Sequence, residues 1–189
     1  MERVKEILLN PLTAITKAKK EKNLNKTLLI MIFSWFIIAV SFLFSYNSQT
    51  MLIKISSSIA IFLFGILFSI FFSYILNIVM KILGGKGKYY EALTATTYSS
   101  LPVSFGFLIM SIAYAIHPMI GMIIGFIIFA ITTASSLSIY FRAIKEFYST
   151  DIFVNFIGIL IVIYSLIISM YISTFFSISF PLFGNLRIF

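Results

Sequence analysis

"ISSSIAIFLFGILFSIFFSYILNIVM", residues 55–80, runs for 26 residues without a charge. A helix rises about 1.5 Å per residue and a bilayer core is about 30 Å thick, so this run is long enough to cross one. Its apolar residues are continuous rather than confined to one face, which is how a segment dissolved in lipid reads. The polar positions are ordered: Gly65, Ser69, Ser73 and Asn77 recur every four residues. Small residues in one stripe let helix backbones approach, so Gly65, Ser69 and Ser73 are expected to pack against another helix. The competing reading of such a stripe is a hydrophilic path for a solute.

Four further runs of this kind lie near residues 27–46, 93–116, 119–141 and 152–176. The 189 residues are 60% hydrophobic and only 11% charged, with a mean hydropathy of +1.07. A soluble domain is about a quarter charged. The fold class is therefore all-α, a polytopic membrane protein built as a bundle of five transmembrane helices. Residues 27–176 form that bundle, residues 1–26 a basic amphipathic segment before it, and residues 177–189 a short tail. The segment before the first span is too long for an ordinary secretory signal.

The connections alternate in charge. Seven cations precede the first span, three lie between the second and third, and two between the fourth and fifth, twelve in all. The other three segments hold Lys54, none, and Arg187. By the positive-inside rule the N-terminus is cytoplasmic and the C-terminus external, in the cell membrane. Tyr46, Tyr89, Tyr90, Tyr114, Tyr140 and Tyr148 fall near span ends, where an interfacial aromatic belt is expected.

In the basic arm, Val4, Ile7, Leu8, Leu12 and Ile15 recur at helical spacing and lysines gather behind them. Asn10 followed by Pro11 reads as a cap and first helical residue, so the helix bends or restarts there. This pattern predicts a surface helix, apolar face toward the membrane and lysines toward anionic headgroups. Lys17, Lys19 and Lys20 are its candidate contacts with lipid or with a partner protein.

Beyond residue 80 the chain reads "KILGGKGKYYEALTATTYSSLPVSF", residues 81–105. The glycines suggest a phosphate loop, but that loop needs its Lys followed by Ser or Thr, between a strand and a helix. Here Lys88 is followed by Tyr89 and the loop follows a membrane helix. Gly84, Gly85 and Gly87 are better read as the turn that stops one span, with Lys86 and Lys88 held in the headgroup layer. The Ser/Thr-rich stretch that follows must enter the membrane to make the next span long enough, so it should face protein. Pro102 removes a helical hydrogen bond and should kink that span. In the fourth span Gly121 and Gly125 form a GxxxG pair suited to helix packing. The fifth carries Gly158, Ser165, Ser169, Ser173 and Ser177.

Cysteine is absent and His117 is the only histidine, so thiolate chemistry is excluded and a histidine metal site is not expected. His117 beside Pro118 reads as a turn residue. The six carboxylates fall in segments outside the spans and form no paired constellation. No ionisable group lies deep within a span, where ion-coupled carriers keep one. No catalytic residue, metal or cofactor is expected, and nothing points to nucleic acid.

Three segments together resemble the Yip (Ypt/Rab-interacting) domain family in its prokaryotic, five-span form. "ILLNPLTAITKAKKEKN" is similar to the family's entry segment with its Asn-Pro. "ILGGKGKYYEALTATTYSSLP" resembles its Gly-Gly turn followed by an aromatic, a Tyr and a Pro, on Gly84, Gly85, Tyr89, Tyr98 and Pro102. "YFRAIKEFYSTDIF" resembles the loop into the last span. The resemblance implies a cytoplasmic N-terminus and a non-enzymatic, membrane-organising or trafficking-like adaptor. Its eukaryotic relatives are associated with Rab-type GTPases, but the long acidic and aromatic region they carry is lacking, so a GTPase partner is not expected. A small channel or permease for an uncharged solute, lined by the Ser/Thr stripes, is the alternative.

Overall fold

The computed structural model describes residues 2–44 and 50–179, the side chains of 166 and 169–179 excepted. Seven helices and no strand occur among them: α1 Glu2–Leu9, α2 Pro11–Glu21, α3 Leu24–Leu43, α4 Met51–Ile82, α5 Tyr89–Ile116, α6 Pro118–Tyr148 and α7 Ile152–Ser179. Helices α3, α4, α5 and α6 are each long and apolar enough to cross a membrane. Five crossings were expected; in α7 the apolar stretch whose side chains are described, Ile152–Ser165, is shorter than the about 20 residues a crossing takes. The expected tail lies almost wholly outside the described residues.

The N-terminal segment is two helices rather than one. Pro11 supplies no N–H and starts α2, so α1 ends at Leu9 and the chain turns at Asn10. The Asn10 carbonyl accepts hydrogen bonds from the Thr13 hydroxyl (2.8 Å) and the Ala14 N–H (3.2 Å). Residues 24–26 already belong to α3, whose first turn is capped by Asn23, its side chain accepting from Lys26 N–H at 3.1 Å. The apolar face of this arm divides. Ile7, Ala14, Ile15 and Ala18 are buried against the bundle, while Leu8, Leu9 and Leu12 stay exposed. Protein covers part of the face that the sequence assigned to the membrane, because α1 reaches α5 and α2 reaches both α5 and α6.

Helix α5 lies at the centre, touching α3, α4 and α6 as well as the arm. Its Ser/Thr-rich first half faces protein: Thr94, Thr97 and Ser99 are buried with Ala92, Ala95, Tyr98 and Leu101. Thr94 donates to the Tyr90 carbonyl and Ser99 to that of Thr96, as do the half-buried Thr96 to Ala92 and Ser100 to Thr97, while Thr97 Oγ1 has no partner among the described residues. These bonds satisfy groups that lipid could not. Thr94 also meets Thr27 of α3 at 3.2 Å. The helix continues through Pro102 without interruption.

Several glycines leave room that a neighbouring helix fills. A side chain at Gly65 would run into the Trp35 ring, and one at Gly121 into the Ala113 carbonyl. Gly125 lies against Met110 and Gly106 against Thr132, so the GxxxG pair brings α6 onto α5 within the chain. On the Gly65 stripe, Trp35 Nε1 donates to Ser69 Oγ at 2.8 Å and Ser73 Oγ to the Ser69 carbonyl at 2.6 Å.

The core gathers where the arm, the start of α5 and the end of α6 meet. Two members correct the expected aromatic belt: Tyr140 and Tyr148 are buried in protein rather than set at the lipid interface. Tyr46 lies outside the described residues. The opposite half of the bundle is sheathed in exposed apolar side chains, including Phe64 and Leu67 of α4 and Ile123 and Phe126 of α6.

Candidate functional site: the basic end of the bundle

Helix α4 must stop before the chain can return. Gly84 takes a left-handed φ of 86°, Gly85 N–H donates to the Met80 carbonyl at 2.8 Å, and Gly84 N–H to the Lys81 carbonyl at 3.1 Å. This is a Schellman ending, which uses carbonyls a helix end otherwise leaves unpaired. Of the expected glycine turn, only Gly84 needs the left-handed region. Gly85 and Gly87 serve a different purpose: a Cβ at either would stand 2.8 Å or 2.6 Å from Tyr148 Cδ1.

The loop is thereby clamped over the end of α6. Lys86 N–H donates to the Tyr148 carbonyl at 3.1 Å, and Tyr148 Oη donates to Asn77 Oδ1 at 3.0 Å beneath it. Helix α5 then starts at Tyr89, with the Glu91 carboxylate accepting the Lys88 N–H. The result is a rigid platform that carries Lys86 and Lys88 outward, both exposed.

The arm is held beside this platform by charge. Arg3 of α1 donates through Nε to Tyr98 Oη of α5 at 3.2 Å and pairs with Glu6 and Glu21, each at 3.4 Å. Lys17 pairs with Glu6, and Lys26 of α3 with Glu21 at 2.9 Å. The hydrogen bond from Lys17 holds the Glu6 carboxyl below its ordinary range against the opposing effect of burial, and Arg3 adds to it. Lys26 does the same for Glu21, again against burial. Burial alone would lower the Arg3 pKa, but Tyr98 and the two carboxylates raise it overall.

The five candidate lysines are not equivalent. Lys17 is engaged by Glu6, and Lys19 by the carboxylate (3.3 Å) and carbonyl of Glu146 on α6. Lys20, Lys86 and Lys88 are exposed, with no ion pair shown among the described residues. Lys54 is in the first turn of α4, at the other end. Such an end offers ammonium groups to phosphate or carboxylate partners. No group of three His, Cys, Asp or Glu able to hold a metal occurs among the described residues.

Three pairings escaped the sequence reading: Arg3 with Tyr98, Asn77 with Tyr148, and Trp35 with Gly65 and Ser69. Asn77 carried a usable signal, since an amide within a membrane helix needs a polar partner. Arg3 and Tyr98 are 95 residues apart and had none.

A family model, the Yip1 domain, matches residues 5–178. No curated protein and no solved structure matches the chain. The matched span takes in the Asn10-Pro11 break, the glycine turn, Tyr98, Pro102 and the loop before α7, and the chain belongs to the Yip1 domain family.

Proposed function

We propose that this Yip1-domain protein is a non-enzymatic, membrane-organising adaptor with five spans, its N-terminus cytoplasmic and its C-terminus external in the cell membrane. Its working surface is the basic end, which takes anionic lipid headgroups or the acidic surface of a partner protein. The observation that carries this reading is the exposure of Lys20, Lys86 and Lys88 beside a loop fixed by Tyr148. Cations on a fixed platform keep their spacing, so a partner binds without first ordering the loop. Engaged lysines such as Lys19 instead hold the arm in place.

The permease alternative has no observation in its favour. Ser69 and Ser73, which would line a path, are occupied in contacts within α4 and with α3.

Photocrosslinkers placed one at a time at Lys86 and at Lys20 in native membranes test the adaptor reading. The expected result is capture of the same protein or anionic lipid from both positions, lost when the other two of Lys20, Lys86 and Lys88 are replaced by Gln. Capture that survives that double replacement unchanged would overturn it.

A further inference from the structure

A groove of about 1080 Å³ opens between α1, the end of α2 and the outer face of α3 and α5. That is at or above the upper size of ordinary small-molecule pockets, about 300–1,000 Å³. One end is charged and the other apolar. The charged end holds Arg3, Lys17 and Lys26 with Glu6 and Glu21, and Lys5 and Glu2, opposite in charge, stand beside them. The apolar end is walled by Leu29, Ile30, Phe33 and Phe105, the two rings edge to face at 6.4 Å.

Two features identify what fits. The paired network has three cations to two carboxylates, so it carries one positive charge in excess. The axial register is the second. On α3, Lys26 precedes Phe33 by seven residues, and on α5, Tyr98 precedes Phe105 by seven. Two helical turns place the polar and apolar ends about 10 Å apart. That separation spans the step from the headgroup layer, roughly 5–8 Å deep on each side, into the hydrocarbon. Leu29 is 66% exposed, so the apolar end opens sideways toward lipid.

We propose that this groove binds one phospholipid, its phosphate at Lys5 and the Arg3 network and one acyl chain against Leu29, Phe33 and Phe105. The site goes beyond the adaptor reading, because it uses none of Lys20, Lys86 and Lys88. It needs only that α3 and α5 lie in a bilayer. The recognised chemistry is a phosphate joined to a hydrocarbon chain, so a lipid without phosphate and a phosphate without a chain should both bind poorly.

The test is native mass spectrometry of the full chain in detergent, titrated with phosphatidylglycerol, phosphatidylethanolamine, diacylglycerol or glycerol 3-phosphate. The expected result is retention of one phospholipid per chain, with diacylglycerol and glycerol 3-phosphate each held at least about tenfold more weakly, a gap of about 1.4 kcal/mol. Lys5→Glu reverses charge without touching the paired network, and Leu29→Trp narrows the apolar end from an exposed position. Each should reduce phospholipid retention by about tenfold while the thermal midpoint stays at the wild-type value. Equal retention of diacylglycerol would overturn the phosphate assignment, and equal retention of glycerol 3-phosphate would overturn the lipid one. Retention unchanged in both folded variants would overturn the groove itself. Crosslinking at Lys86 is unaffected by any of these results, so the two readings fail separately.

Discussion

A methyl group at Gly87 would meet the Tyr148 ring at 2.6 Å, closer than carbon atoms pack. Either the ring moves, giving up its hydroxyl bond to Asn77, or the loop lifts and loses the bond from Lys86 N–H to the Tyr148 carbonyl. Gly87→Ala and Gly85→Ala should therefore each cost about 1–3 kcal/mol, the range for overpacking. Gly84→Ala meets no atom within 4 Å but must hold a φ of 86°, which costs about 1–2 kcal/mol. Lys86→Ala, exposed and needed here only for its backbone, should be neutral. Thermal midpoints in one detergent, measured for these four variants, check the ranking. The Tyr148–Asn77 pair calls for a double-mutant cycle with Tyr148→Phe and Asn77→Ala. Hydrogen bonds between membrane helices average about 0.6 kcal/mol and reach about 1.7, and full burial of the Tyr148 side chain places this one in the upper half of that range. A coupling energy near zero would mean that packing of the ring alone closes the loop.

At the scale of elements, the arm is the part whose attachment depends most on charge. Its apolar contacts come from small or few side chains, Ile7, Ala14, Ile15 and Ala18, while Arg3 joins α1 to both α2 and α5 and the Lys17–Glu6 pair ties α2 to α1 again. Arg3→Ala should increase amide exchange throughout Glu2–Leu9 and leave α5 beyond Pro102 unchanged, as read by exchange mass spectrometry. Acid should act in the same direction. Glu6 and Glu21 have folded-state pKa values below the unfolded ones, so the docking they provide is complete above the ordinary carboxylate range, about 4.3. It is lost as pH falls through the lower folded values. Protection factors for α1, corrected for intrinsic exchange, should drop as pH falls below the ordinary carboxylate range, about 4.3, and Glu6→Gln should flatten that drop. The elements themselves were largely legible in the sequence. Asn10-Pro11 marks the α1–α2 break because proline's missing N–H and fixed φ are local facts, and Gly84 marks the end of α4 for the same kind of reason. The arm's attachment was not legible. A period of apolar residues says that a face is buried, not whether lipid or protein buries it, and Tyr148 at a span end looks the same under either. Lys19 and Lys20 are neighbours of one type, and only the approach of Glu146 separates them.

The whole molecule is polarised along its length, with the core, the ion pairs and twelve cations at one end and exposed apolar side chains toward the other. A leaflet with anionic lipid attracts each nearby lysine by about 1 kcal/mol, so a chain with this asymmetry has one preferred orientation. In the proposed orientation α4 starts near Lys54 on the external side and ends at the glycine loop on the cytoplasmic side. Helix α7 begins at Ile152, beside that same basic end, and its backbone runs for 28 residues. At 1.5 Å per residue that is about 42 Å, longer than the hydrocarbon core, so α7 should return the chain to the external side. The native sequence contains no cysteine, which makes single-cysteine labelling a direct readout. In intact cells a membrane-impermeant maleimide should react with Lys54→Cys and with a cysteine appended to the C-terminus. It should reach Lys20→Cys and Lys86→Cys only after permeabilisation. Labelling of the C-terminal cysteine together with Lys86→Cys would mean that α7 does not cross and the chain has four spans. Labelling of Lys86→Cys in intact cells would invert the molecule, placing the basic platform outside and removing the cytoplasmic adaptor reading with it.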